Sequence, residues 1–108
     1  MPENVSVHDL AAAIERGDPV VDVRMPYEYE AGHVPSAVLI PMQTIPVQYE
    51  ELRGHDAPIY VICEVGSRSW QVVQFLESVG IQAVNVAGGT AEWRAFSWPM
   101  EYGGAAPV

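Results

Sequence analysis

The chain has 108 residues, of which 49% are hydrophobic and 18% charged. This length and composition predict a single globular domain spanning 1–108. Fourteen acidic residues against five arginines and no lysine leave a formal net charge of −9. This charge argues against nucleic acid and anionic membranes as partners, because both require cationic surface. No apolar run is long enough to cross a bilayer and the acidic start lacks a signal-peptide pattern, so we expect a cytoplasmic protein.

Apolar periodicity and turn residues divide the chain into alternating strands and helices. Ser6 begins the first helix with Asp9 at the capping-box position, and Gly17 ends that helix. The predicted segments are, in chain order, a brief strand at 4–5, a helix at 6–17, a strand at 19–23, a loop or short helix at 27–36, a strand at 37–40, a short helix at 44–54, a strand at 58–63, a helix at 67–80, a strand with a glycine turn at 82–89, and a helix at 90–96. This alternation predicts an α/β fold with a parallel sheet covered on both faces. The tail from about 99 to 108 is expected to be peripheral.

The only cysteine, Cys63, lies where a predicted strand ends and the best predicted helix is about to begin. A single cysteine excludes an internal disulfide and a zinc site of several thiolates, which leaves an inert buried thiol, an intermolecular contact or a nucleophile. Gly66 allows a sharp turn that aims the free N–H groups of the helix start inward, and Arg68 adds a positive charge. Such a loop lowers a thiol pKa, whereas a small buried hydrophobe is the ordinary role of cysteine after an apolar strand. On the loop alone these two interpretations are balanced.

Four motifs occur in order within three segments of the chain. They are D-V-R and E-x-x-x-G-H-x-P-x-A in VVDVRMPYEYEAGHVPSAVLIP (20–41), C-x-x-G-x-R-S in PIYVICEVGSRS (58–69), and G-G-x-x-x-W in VNVAGGTAEWR (84–94). Together these motifs resemble the single-domain rhodanese family of sulfurtransferases over nearly the whole chain. The resemblance implies a three-layer α/β/α fold with a central, mostly parallel five-stranded sheet, and it implies no metal and no organic cofactor.

The resemblance implies that Cys63 is the nucleophile. Its thiolate would take sulfane sulfur from thiosulfate, a persulfide or a polysulfide and pass it, as a Cys63 persulfide, to a thiol or another nucleophilic acceptor. The loop that would hold the persulfide consists of Glu64, Val65, Gly66, Ser67, Arg68 and Ser69. Asp22 and Arg24 match the family's D-x-R segment, where they support the site or form a structural ion pair. The spacing C-x4-R gives a tighter loop than the C-x5-R of related phosphatases and favours sulfur over phosphate chemistry.

Several residues depart from the family pattern or have two interpretations. A carboxylate at Glu64, held about 6 Å from the thiolate at an effective dielectric near 20, would cost roughly 3 kcal/mol; turned into water it would cost less. Either position disfavours a doubly charged donor such as thiosulfate. Trp70 lines the entrance or packs on the sheet, and Met25, with Tyr27, forms an apolar rim or anchors its loop on the core. His33 is expected to be structural.

An acidic cluster is expected to be a solvated face and consists of Glu28, Glu30, Glu50 and Glu51.

The alternative function is a non-catalytic or weakly catalytic persulfide carrier, a sensor or a protein-binding module. The partners are then a small-molecule or protein sulfur donor and acceptor, and the sequence indicates no oligomeric state.

Overall fold

The computed structural model describes residues 2–104, and strands alternate with helices along them. The strands are β1 (Glu3–Val5), β2 (Val20–Asp22), β3 (Val38–Leu39), β4 (Ile59–Ile62) and β5 (Ala83–Val86). The helices are α1 (Val7–Arg16), α2 (Pro26–Glu30), α3 (Ile45–Gln48), α4 (Ser67–Ser78) and α5 (Gly89–Ala95). The strands form one sheet in the order β1-β5-β4-β2-β3 with every pairing parallel. The predicted parallel α/β architecture is confirmed.

Each face of the sheet is covered by its own apolar cluster. One cluster contains Val73 and Leu76 of α4, and the other contains Val7 and Leu10 of α1 together with Trp93 of α5. The central strands β4 and β5 are buried at every position, which explains why they lack an alternation of apolar and polar residues, although β5 includes the amide of Asn85. Removing a buried leucine side chain from such a core costs about 2–5 kcal/mol, so the two clusters hold the strand ends firmly in place.

Helix α1 begins and ends where local sequence chemistry predicts. The Ser6 hydroxyl accepts a hydrogen bond from the Asp9 N–H at 3.1 Å, and the Asp9 carboxylate accepts one from the Ser6 N–H at 2.9 Å. Gly17 ends the helix with a φ of 82°, in the left-handed region that glycine adopts without steric cost. The capping box and the glycine stop are both confirmed.

The predicted helix over 44–54 is broken into three short turns. A 3-10 turn at Met42–Thr44 leads into the four residues of α3, and a second 3-10 turn follows at Tyr49–Leu52. Ile45 and Leu52 are buried at the two ends of the segment, while Val47 between them is 84% exposed. The segment therefore lacks the continuous apolar stripe that keeps a longer helix regular.

The chain after α5 turns back onto the domain. Trp98 and Met100 pack against the apolar cluster of α1 and α5, and the Trp93 indole N–H donates to the Pro99 carbonyl at 2.9 Å. A backbone bridge then joins Glu101 to the segment after α2. The last four residues of the predicted peripheral tail, 105–108, lie outside the described residues. Within residues 2–104, no helix combines the length and apolar character that a membrane span requires.

Candidate active site

The candidate site lies at the carboxyl ends of neighbouring parallel strands. Asp22, the last residue of β2, pairs in register with Ile62, the last residue of β4. The Val23 N–H donates to the Ile62 carbonyl at 3.0 Å, so the pairing continues one residue beyond β2. The D-V-R segment therefore runs beside the start of the Cys63 loop, although about 40 residues of sequence separate the two. In parallel α/β sheets this edge is where binding sites form.

The Cys63 sulfur is held by donors from its own loop. The Gly66 N–H donates to Sγ at 3.1 Å and the Ser69 hydroxyl donates to Sγ at 3.3 Å. Burial raises the pKa of the Cys63 thiol, but hydrogen bonds from the Ser69 side chain and from the backbone N–H groups of Ser69, Gly66 and Val65 outweigh it, so the pKa lies below its ordinary value. The loop therefore favours the thiolate, which is the reactive form. The Cys63 side chain itself is 0% exposed.

Two glycines are required for the loop to have this shape. Gly66 has a φ of +101°, and a Cβ there would collide with the Ala87 carbonyl. Gly89, at a φ of +63°, sits so close to the Glu64 carbonyl that a Cβ would collide with it as well. The close approach of the β5–α5 segment to the loop therefore depends on the absence of two side chains.

The loop is anchored from behind by groups of the β5–α5 segment. The Thr90 N–H and hydroxyl both donate to the Cys63 carbonyl, at 2.9 and 3.0 Å. The Asn85 amide donates to the Gly66 carbonyl at 3.2 Å and to Asn4 Oδ1 at 3.0 Å. Asn85 and Thr90 were not among the site residues predicted from the sequence. The signal available for Asn85 was an amide inside the apolar run VNV, because asparagine is depleted in strands.

Arg24 and Asp22 form a fully buried ion pair next to the loop. Their side chains are 1% and 0% exposed, and the Arg24 Nη2 to Asp22 Oδ2 distance is 2.8 Å. Burial lowers the pKa of Arg24, but the hydrogen bonds and the charge of Asp22 outweigh it and keep the pKa above its ordinary value. Arg24 Nη2 also donates to the Gly32 carbonyl at 2.8 Å, which ties the segment after α2 to the pair.

Glu64 is hydrogen-bonded by two arginines. The sequence suggested that its carboxylate lies near the thiolate or turns into water, and this pairing is a third arrangement. Its Oε1 accepts from Arg24 Nη1 at 3.1 Å and its Oε2 accepts from Arg94 Nη1 at 2.8 Å. The carboxylate is therefore neither an uncompensated charge facing the thiolate nor a group turned into water. Arg94 belongs to α5 and was not among the candidate residues, because nothing local marks it as a partner of Glu64.

Arg68 is engaged in the same manner by Glu28 of α2. Its Nη1 and Nη2 donate to the two Glu28 oxygens at 2.8 and 3.0 Å, a two-bond fork that suits guanidinium and carboxylate. The hydrogen bonds from Arg68 lower the pKa of Glu28 to about 2, against a smaller opposing effect of burial. The expectation of a solvated acidic face is therefore wrong for Glu28, whose side chain is only 20% exposed.

The remaining candidate residues lie around the outside of this arrangement. Met25 and Trp70 are half-buried, and Ser67 is exposed. Tyr27 and Val65 are exposed, at 71% and 62%. In residues 2–104, no group of three or more histidine, cysteine, aspartate or glutamate side chains is arranged to hold a metal ion.

His33 is tied to the structure around α2. Its ring stacks on that of Tyr29 with centroids 3.6 Å apart, and Nδ1 lies 2.7 Å from the Tyr29 carbonyl oxygen. The His33 N–H donates to the Glu101 carbonyl at 2.9 Å, and the Glu101 N–H returns a bond of the same length. These contacts fix the segment after α2 against the C-terminal part of the chain, as expected for a structural histidine.

Known proteins resemble this chain in sequence and in structure. The family model described as a rhodanese-like domain matches residues 6–96. A putative sulfurtransferase from Bacillus subtilis is 34% identical over 99 residues, which are 90% of this chain and 95% of that protein. A sulfurtransferase from Allochromatium vinosum is 32% identical over 82 residues, covering 75% of this chain and 76% of that protein. The crystal structure of a rhodanese-like domain protein from Staphylococcus aureus superimposes with a TM-score of 0.76 at 38% identity, covering 84% of this chain and 90% of that one.

Proposed function

The chain belongs to the rhodanese-like family, and from that premise we propose that it is a sulfurtransferase whose Cys63 carries sulfane sulfur from a donor to a nucleophilic acceptor. The observation that supports this most directly is the pair of hydrogen bonds from the Gly66 N–H and the Ser69 hydroxyl to Sγ. Both bonds strengthen when the sulfur is anionic, and the thiolate is the nucleophilic form of cysteine.

Two half-reactions make up the proposed transfer. The Cys63 thiolate attacks the outer sulfur of thiosulfate, a persulfide or a polysulfide, and the donor's S–S bond breaks as a new S–S bond forms at Cys63. The electron pair of the broken bond leaves with sulfite or with the carrier's thiolate. A thiol or another nucleophile then attacks the outer sulfur of the Cys63 persulfide and restores the Cys63 thiolate. No external oxidant or reductant enters, and the two steps follow the ping-pong pattern of covalent catalysis.

The loop from Glu64 to Ser69 is assigned the role of holding the persulfide. Its backbone N–H groups belong to the start of α4, where such groups have no partner inside the helix and bind anions. Arg68 keeps the helix start aligned with α2, and the buried pair of Asp22 and Arg24 supports the loop from the neighbouring strand. Met25 and Trp70 are assigned to the rim, and the whole of 1–108 is taken as one domain.

One observation favours a second candidate function, a persulfide carrier, a sensor or a protein-binding module with little or no catalysis. Cys63 is 0% exposed, so a donor reaches the sulfur only if part of the loop moves. Val65 and Ser67 are the exposed residues of that loop, Val65 at 62%, and this part of the loop is expected to move first. A loop that stays closed would leave the thiol inert, as in a purely structural cysteine.

The mass of the intact protein after brief exposure to donors tests the proposal. Wild type and Cys63→Ser are each incubated with thiosulfate and, separately, with glutathione persulfide. Loading of one sulfur adds about 32 Da to wild type alone, because persulfidation needs the thiolate, and cyanide or a thiol removes it. If no donor loads the folded protein while iodoacetamide labels Cys63 after unfolding, sulfur transfer is refuted and the second candidate function is retained.

A further inference from the structure

Every arginine of the chain has a carboxylate partner, and all five lie within residues 2–104. With no lysine in the sequence, arginine is the only side chain with a permanent positive charge. The pairs are Arg16 with Asp18, Arg24 with Asp22 and Glu64, Arg53 with Glu50, Arg68 with Glu28, and Arg94 with Glu64. The described part of the protein therefore presents no arginine whose charge is uncompensated.

Three of these arginines surround the Cys63 loop. Arg68 lies in the loop's first helical turn, and Glu28 occupies both of its terminal nitrogens. Arg24 and Arg94 meet on the two oxygens of Glu64, the residue directly after the cysteine. Three arginines and three carboxylates, counting the buried Asp22, thus cancel around the loop, and the thiolate adds one negative charge.

This cancellation acts on any donor that approaches the sulfur. An uncompensated cation at the mouth of a site raises the local concentration of a doubly negative donor and its rate of encounter, because opposite charges attract. Here such a donor meets a thiolate, compensated arginines and a chain with a formal net charge of −9. A donor whose carrier is neutral or cationic meets weaker repulsion, because it carries less negative charge.

We propose that Glu28 and Glu64 are specificity-determining residues that select sulfane-sulfur donors with an uncharged or positively charged carrier over anionic donors such as thiosulfate. The selection works by removing positive charge from the mouth, since each carboxylate compensates an arginine that would otherwise attract an anion. This inference rests on the proposed function and names the substrate class for the same site. The transfer step itself is unchanged: the carrier's S–S bond breaks, and the carrier leaves as its thiolate.

Three persulfides that differ mainly in carrier charge test the selection directly. The persulfides of cysteamine, 2-mercaptoethanol and 3-mercaptopropionate have cationic, neutral and anionic carriers on similar short chains. Second-order rates of Cys63 loading are measured by intact mass at low salt, with thiosulfate as a fourth donor. We expect wild-type rates to fall in the order cationic, neutral, anionic, and we expect thiosulfate to be slowest. Raising the salt concentration to about 0.5 M should reduce the differences in loading rate among the donors, because screening weakens charge effects between exposed groups.

Single amide variants show which carboxylates cause the selection. Glu28→Gln leaves Arg68 uncompensated, and Glu64→Gln does the same for Arg94. The matched control is Glu50→Gln, which changes the net charge equally but frees Arg53, whose other contact is the Val79 carbonyl at the far end of α4. We expect either variant at the mouth to raise the thiosulfate rate about tenfold relative to the 2-mercaptoethanol persulfide, while the control leaves that ratio unchanged.

The outcomes separate this inference from the proposed function. If the three persulfides load wild type at equal rates that salt does not alter, the selection is refuted while sulfur transfer stands. If the Glu50→Gln control shifts the ratio as far as Glu28→Gln, net charge and not these residues sets the selection, and the assignment fails. The salt series on wild type needs no variant, so it decides whether charge selection exists even where Glu64→Gln does not fold, and Glu28→Gln against Glu50→Gln then tests the assignment. If no donor loads Cys63 at all, sulfur transfer itself fails.

Discussion

Replacing Ser69 by alanine removes the side-chain donor to the Cys63 sulfur. The Ser69 hydroxyl lies 3.3 Å from Sγ, and its hydrogen bond is the largest of the effects that lower the Cys63 pKa. A hydrogen bond to a charged group contributes about 1.5–3 kcal/mol, which corresponds to roughly 10- to 150-fold less thiolate at a pH below the pKa. A more basic thiolate is also more nucleophilic, which offsets about half of the loss on a logarithmic scale, so the alkylation rate should fall roughly 3- to 12-fold.

The pH dependence of iodoacetamide alkylation measures this effect without ambiguity, because Cys63 is the only cysteine. Rates are followed by intact mass for wild type, Ser69→Ala and the control Ser67→Ala, which truncates an exposed serine two residues earlier. The Ser69→Ala curve should lie below wild type at low pH and meet or cross it at high pH, where every sample is ionised. A Ser69→Ala curve that superimposes on the control, or that is lower by a constant factor at every pH, would refute thiolate stabilisation by this hydroxyl.

Three further predictions concern the frame around the loop. Arg24→Met should lower the free energy of unfolding by about 3–5 kcal/mol in urea titrations, because it leaves the Asp22 carboxylate buried without its partner; adding Asp22→Asn should restore part of the loss, and no recovery would contradict this cause. The pKa of Glu28 lies at about 2 instead of 4.5, so its stabilising effect is complete above about pH 4.5 and is lost as the pH falls towards 2; the difference in unfolding free energy between wild type and Glu28→Gln should shrink over that window, and a constant difference would argue against the ion pair. Gly66→Ala should abolish sulfur loading, because its Cβ collides with backbone at a positive φ, whereas Gly17→Ala, at a φ of +82° with open space around it, should cost only about 1–2 kcal/mol in stability and leave loading intact.

Local patterns in the sequence determined the elements and the position of the candidate site. Buried strands such as β4 are apolar runs, and helix ends follow from Ser6, Asp9 and Gly17, because capping and burial depend on a few neighbouring residues. The order of strands and helices indicated a parallel sheet, and a parallel sheet places the residues after its strands at one edge. The position of Cys63 and Gly66 between strand and helix followed from the same patterns. The break in the predicted helix over 44–54 was missed, because it depends on which of the segment's side chains are buried in the core.

Only the tertiary structure decided which charges meet. Glu64 pairs with Arg24 and Arg94, and Glu28 pairs with Arg68, across 30 to 40 residues of sequence. Such pairs leave no local periodicity, since they arise when separate loops are brought to the same edge of the sheet. The sequence therefore placed an acidic residue beside the thiol, whereas the folded chain turned that residue into the partner of two arginines. Its effect on the site is set by this pairing and not by its neighbour in the sequence.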